Sequence, residues 1–238
     1  MTDYDSSRWA DKDFSEGYSH TADDIIQERR KLIEVLKSFY GHFLHNTGEV
    51  RVLDLGCGDG TLTYELTGEY PHIVPTLVDG SADMLEKARE LLGGYKGASF
   101  VHSSFQGLLS GEVELPSNNF VFSSLAIHHL EAFEKALLFK YISGHLEESG
   151  LFLNIDVVLP PSDFLEKWYL EIWRDWIEKR RAVTGFSEDT DIPTQYKGNA
   201  DNKPDTLESQ LSALKDGGFR DVDCFYKHGI FAVYGGRK

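Results

Sequence analysis

Cysteine is nearly absent. Cys57 and Cys224 are the two in 238 residues, and so wide a separation supplies neither a disulfide framework nor the close ligand spacing of a structural metal site. No apolar run reaches the length that a bilayer-spanning helix needs. The opening segment, MTDYDSSRWADKDF, is polar and acidic where a cleaved secretion signal is basic and then apolar, so a cytoplasmic protein is expected. Positive charge is also short: 24 Lys and Arg stand against 39 Asp and Glu, a formal net charge of -15. Phosphate backbones are bound through a local surplus of Lys and Arg, so nucleic acid is not an expected partner. Arg29-Arg30-Lys31 and Lys179-Arg180-Arg181 are the basic clusters, and each reads first as a solvated helix face.

What the chain has is 41% hydrophobic and 13% aromatic residues, enough for one substantial core. Its most informative stretch is VRVLDLGCGDG at 50–60. Val52, Leu53 and Leu55 make a short apolar run suited to a strand buried on both faces. Gly56, Gly58 and Gly60 follow at once, and glycine lets the backbone take positive φ and approach a ligand closely. TLTYEL at 61–66 can then begin a helix whose unpaired N–H groups face the same crevice. Dinucleotide enzymes place a related G-x-G-x-x-G turn here, and two details separate this chain from them. The third glycine comes one residue early, and Asp54 sits near the carboxyl end of the strand. A carboxylate there repels a pyrophosphate but attracts a cofactor whose reactive end carries an ammonium and a sulfonium, a description that S-adenosylmethionine fits. Asp79 ends a second strand at 76–78, about twenty residues past the turn, where a carboxylate accepts both ribose hydroxyls.

Taken together, VLDLGCGDG and VDGSADML resemble the class I S-adenosylmethionine-dependent methyltransferases, and the likeness runs through nearly the whole chain. The resemblance implies an α/β fold: a doubly wound, seven-stranded, mostly parallel sheet with an antiparallel last strand, an N-terminal lid helix and a helical cap inserted after strand five. It implies one structural domain, with the lid and its helix at 1–48 and the cofactor-binding core at 49–238, the cap occupying 160–205. The activity implied is methyl transfer to a small-molecule acceptor by in-line displacement, leaving S-adenosylhomocysteine. A protein or RNA acceptor, a noncatalytic cofactor-binding module and a dinucleotide oxidoreductase are the competing readings, and a homodimer stays open.

The same likeness assigns residues. Asp54, Gly56, Cys57, Gly58, Asp79 and Gly80 surround the cofactor, with Cys57 needing no more than packing to explain it. Met84 lies against the adenine or fills core. Ser104 stands where the family commonly has an aspartate for the adenine amino group; a hydroxyl is the weaker acceptor, so recognition there leans on backbone groups and Phe105. SSLAIHHL at 123–130 places Ser123, Ser124 and Leu125 beside the methionine part and aims His129 at the methyl group and acceptor. Two adjacent histidines point apart and lack a third ligand, which argues against a metal. No Asn-Pro-Pro-Tyr follows the fourth strand, which removes planar amino nitrogens as acceptors. Tyr18 and Arg29 or Arg30 are the lid's candidates for the methionine carboxylate, against an ordinary packing helix with surface arginines.

From Thr21, Ile25, Leu32, Leu36 and Phe43 recur at helical spacing and predict one amphipathic helix ending before Gly48. Further strands are expected at 98–102, 120–123 and 151–156. Asp156 emerges from the fifth either as a general base, second choice after His129, or as the cap of a helix starting near Ser162. Phe164, Trp168, Ile172, Trp173 and Trp176 share one face of that helix and cover either an acceptor or the sheet edge. The stretch 184–205 reads as a mobile loop. A helix at 206–215 and a hairpin of strands at 221–226 and 230–234 complete the chain.

Overall fold

Successive residues along the central strands are buried on opposite faces, so both faces of the sheet need cover, and the chain alternates strands with helices that supply it. The computed structural model describes residues 21–44, 48–185 and 191–238. Seven strands, β1 (Val50–Leu55), β2 (Ile73–Asp79), β3 (Ser99–His102), β4 (Asn118–Ser124), β5 (Leu146–Val157), β6 (Arg220–His228) and β7 (Phe231–Arg237), form one sheet in the order β3-β2-β1-β4-β5-β7-β6. The first five run parallel; β7 is antiparallel to β5 on one side and to β6 on the other. The final hairpin therefore inserts its second strand between β5 and β6.

The helices are α1 (Arg29–Phe43), α2 (Thr61–Glu69), α3 (Ala82–Leu92), α4 (Phe105–Ser110), α5 (Ala132–His145), α6 (Asp163–Thr184), α7 (Ile192–Gly198) and α8 (Leu207–Asp216). On one face Val52, Phe120, Phe122, Leu153 and Val233 pack with Leu36 and Tyr40 of α1, Leu66 of α2 and Trp173 of α6. On the other, Leu53, Val121, Phe152 and Ala232 meet Leu138, Phe139 and Ile142 of α5 and Leu214 of α8. β1 lies where the strand order reverses, between β2 and β4. In such sheets the crevice for a ligand opens above the carboxyl ends of the strands at that point.

Three local features depart from the sequence expectation. The N-terminal helix is not continuous: a helical turn over 21–25 stops, Glu28 takes a left-handed φ of 58°, and α1 begins at Arg29. Nothing in the side-chain periodicity marks that break. The expected loop at 184–205 contains α7, capped by Asp191, whose carboxylate accepts the Thr194 N–H, with Pro193 in the first turn. The aromatic stripe of α6 splits. Trp173 is buried, donating its indole N–H to the Ile25 carbonyl at 2.7 Å and meeting Phe231 edge-on, whereas Phe164 and Trp168 are exposed. α6 thus covers the sheet and the N-terminal segment.

Candidate active site

The glycine turn is built by its backbone. Gly56 N–H and Cys57 N–H both donate to the Val78 carbonyl, at 2.8 and 3.0 Å, which ties the end of β1 to the end of β2. Gly56 holds φ at 69°, and a Cβ there would stand 2.5 Å from that of Ala126. Gly58 holds φ at 54°, and a Cβ on it would meet no atom of the described residues within 4 Å. The space beside Gly58 belongs to a cavity whose lining also includes Asp54, Asp79, Met84, Phe105 and His129.

Asp79 is fixed by two backbone donors: one oxygen accepts from Gly58 N–H and the other from Ser81 N–H, each at 2.8 Å. Burial raises its pKa, and those two donors pull the other way. Asp54 is fully buried and accepts the Thr63 hydroxyl at 2.6 Å. Burial pushes its carboxyl up to about 7 despite that bond, with the nearby Asp79 and Asp59 adding to the rise. Among the charged groups of the cavity acids prevail: Asp54, Asp59, Asp79 and Asp201 line it, and among the described residues Arg29 is the one Lys or Arg that does. Arg29 is itself paired with Asp23 at 2.5 Å.

Of the residues singled out from the sequence, Arg29, Asp54, Gly56, Cys57, Gly58, Asp79, Gly80, Met84, Ser104, Phe105, Ser124, Leu125 and His129 line this cavity. Burial, with the neighbouring acids, holds the Cys57 thiol well above its ordinary pKa, so it stays protonated. Ser104 spends its hydroxyl as the cap of α4, accepting from Gly107 N–H at 3.1 Å. Leu125 sits at a φ of 52°, a left-handed conformation uncommon outside glycine, and donates its N–H to the Ile155 carbonyl.

Two assignments are corrected. Ser123 is fully buried with its hydroxyl on the Leu55 carbonyl at 2.7 Å, and it does not line the cavity. Asp156 does not line it either: its carboxylate is buried against His128 Nδ1 at 2.6 Å and its own chain at Val157 N–H, while Ser162 caps α6 with its own hydroxyl. It neither lines this cavity nor caps α6. Tyr18 lies outside the described residues. Eleven lining residues were not singled out from the sequence, among them Ala22, Ile26, Asp59, Gln106, Leu130 and Asp201; Ile26 lies just before the break at Glu28, and Asp201 arrives because the segment after α7 returns across the histidines.

His129 Nδ1 lies 3.0 Å from the Asp201 carbonyl oxygen. A carbonyl can only accept, so Nδ1 carries the hydrogen and Nε2 the lone pair. Burial, reinforced by His128, Lys135 and Lys203, holds His129 well below the ordinary histidine pKa, and the ring is neutral at neutral pH. His128 packs against it with centroids 3.9 Å apart and the rings tilted by 44°, and it does not line the cavity.

A cofactor-binding α/β sheet with a strand-end acid on each of two adjacent strands defines a class of nucleoside-binding enzymes, and the comparisons narrow it. The profile of a family described as a methyltransferase domain matches residues 46–210. Carboxy-S-adenosyl-L-methionine synthase of Nautilia profundicola is 22% identical over 205 residues, 85% of this chain and 80% of that one. An O-methyltransferase family protein from Burkholderia thailandensis superposes with a TM-score of 0.64 at 13% identity, over 98% of this chain and 62% of that chain. Human N-acetylserotonin methyltransferase, solved with S-adenosylmethionine, gives 0.55 at 17% identity, over 96% and 59%. The chain spans about three fifths of the length of these two solved structures. It belongs to the methyltransferase domain family and is a class I S-adenosylmethionine-dependent methyltransferase.

The acids suit that cofactor. Asp54 combines full burial with an elevated pKa, an arrangement a sulfonium or ammonium relieves, and Asp79 holds both oxygens in place for a diol. The linkage has a definite sign. Because the folded Asp54 holds its proton up to about 7 against an ordinary 3.8, the ligand-free fold loses stability as pH rises through that window. A cation binds the ionised form, so affinity for S-adenosylmethionine rises over the same window. It is expected to be about tenfold tighter near pH 8 than near pH 6, a slope that Asp54→Asn removes in calorimetric titrations.

Proposed function

We propose that this chain transfers the methyl group of S-adenosylmethionine to a small-molecule acceptor bound at the His129 end of the cavity. When bound, S-adenosylmethionine supplies an electrophilic methyl carbon, which leaves with no electrons of its C–S bond as the acceptor's lone pair takes it. The residues do the rest. Asp79 would hold the ribose, Asp54 the cationic end, and Met84 and Phe105 the adenine. Ser124 and Leu125 would flank the methionine part. Closing the crevice with Ile26 and Leu130 excludes water and aligns the reactants, which is where most of the acceleration of a displacement arises. His129 Nε2 would take the acceptor's proton where the acceptor is an alcohol. The observation that carries the proposal is the pairing of a fully buried strand-end acid, Asp54, and a partly exposed one, Asp79, with a glycine turn at one cavity. Cytoplasmic location and the division into lid, core and cap belong to the same reading.

Formation of a carboxylated donor is the second reading, favoured by the synthase relative that this chain matches over four fifths of that protein's length. It fits the cavity less well, because a new carboxylate needs a cation and Arg29 is already paired with Asp23. One incubation separates the two. Purified protein, methyl-labelled S-adenosylmethionine and a cell extract are expected to put label into small metabolites by mass spectrometry. Label confined to protein or RNA, or retained in a donor heavier by one carboxyl group, would contradict the proposal.

A further inference from the structure

α5 carries a lysine where lysine is costly. Lys135 keeps 2% of its side chain exposed, and an ammonium so placed destabilises the fold unless its donors are met. Nζ donates to the Lys203 carbonyl and, at 2.7 Å, to the Asp205 carboxylate, which also accepts from Gln210 of α8 at 3.1 Å. The segment between α7 and α8 is thereby anchored to a helix from a distant part of the chain. The same segment makes two bonds with the histidine turn. Lys203 N–H donates to the His128 carbonyl at 2.8 Å, and the Asp201 carbonyl accepts from His129 Nδ1.

We propose that Lys135 is a positioning residue: by holding residues 201–205 against the histidine turn, it fixes His129 as the Nδ1–H tautomer and keeps the lone pair on Nε2 for the acceptor's proton. This rests on the reading of His129 as proton acceptor. Histidine imidazole in water favours the opposite tautomer, with hydrogen on Nε2, so the carbonyl of Asp201 is what selects the working form. Lys135 reaches that carbonyl through two residues of backbone. The groups facing His129 are His128, itself on Asp156 of β5, then Lys135 of α5, Asp201 and Lys203 of the returning segment, and Arg29 on the cavity wall. Both lysines disfavour an imidazolium, so losing Lys135 also lets His129 titrate nearer its ordinary range.

Nitrogen-15 NMR of histidine-labelled protein reads the tautomer without any acceptor, with His129→Gln identifying the resonance among nine histidines. The wild type is expected to show a pyrrole-type Nδ1 and a pyridine-type Nε2 at neutral pH. In Lys135→Met the two nitrogens are expected to exchange character or average, with the titration midpoint rising. S-adenosylmethionine affinity is expected to stay within about twofold, since Asp54 and Asp79 are untouched. Should Lys135→Met fail to fold, Asp205→Asn, which weakens the same anchor at a partly exposed site, is expected to give a smaller shift in the same direction. Unchanged nitrogen shifts in the folded variants, or a wild-type His129 protonated on Nε2, overturn the proposal. A tautomer shift together with full turnover in His129→Ala supports the positioning and instead removes the base.

Discussion

Asp79→Ala is expected to weaken S-adenosylmethionine binding by roughly two to four orders of magnitude, the largest single effect on the cofactor side. A hydrogen bond to a charged group contributes about 1.5–3 kcal/mol, and the ribose diol would make two of them. Removing the carboxylate also strands the Gly58 and Ser81 N–H groups that it orders at 2.8 Å, so the turn loses its template as well. Asp79→Asn gives little rescue. Either orientation of the amide sets its NH2 group against one of those two backbone donors. Calorimetry checks both variants, and an alanine variant that binds within tenfold of wild type would show that the acid does not hold the ribose.

Gly56→Ala is expected to be the most damaging substitution for stability among the turn glycines. A side chain at a φ of 69° costs about 1–2 kcal/mol, and its Cβ would meet Ala126 at 2.5 Å. The turn cannot swing aside, because residues 56 and 57 both bind the Val78 carbonyl. Overpacking adds about 1–3 kcal/mol, for a total of about 2–5 kcal/mol and a melting temperature lower by about 5–20 °C. Gly58→Ala provides the contrast. Its Cβ touches no atom of the described residues, so the expected stability loss is that of the left-handed backbone, while the added methyl narrows the cofactor crevice. Similar melting of the two variants would mean that Ala126 does not press on the turn.

The turn and both acids were legible in the sequence because they depend on local geometry: a strand end, positive φ, a helix start. So were the sheet and its reversed last strand, through the apolar runs and the hairpin at Gly229. Ser123 was misassigned although the signal against it was present. Successive side chains on a strand alternate faces, so with Ser124 at the crevice the Ser123 hydroxyl turns the other way, into the sheet and onto the Leu55 carbonyl. Asp191-Ile192-Pro193-Thr194 likewise carried a readable helix start inside the presumed loop. The break at Glu28 had no such mark, since neither glycine nor proline stands there; on its N-terminal side Ala22 and Ile26 line the cavity. Asp156 with His128, Lys135 with Asp205 and His129 with Asp201 join residues 28, 70 and 72 positions apart. Bonds of that range leave no trace in local pattern, and they are the ones that set the state of the histidine.

Calorimetric titration of the purified chain with S-adenosylmethionine, and separately with NAD, goes most directly to the claim that two acids select a cationic nucleoside. One equivalent of S-adenosylmethionine per chain is expected to bind, more tightly near pH 8 than near pH 6, with no heat from NAD. Displacement of the bound donor by NAD, or equal affinity after Asp54→Asn and Asp79→Ala are combined, would contradict it.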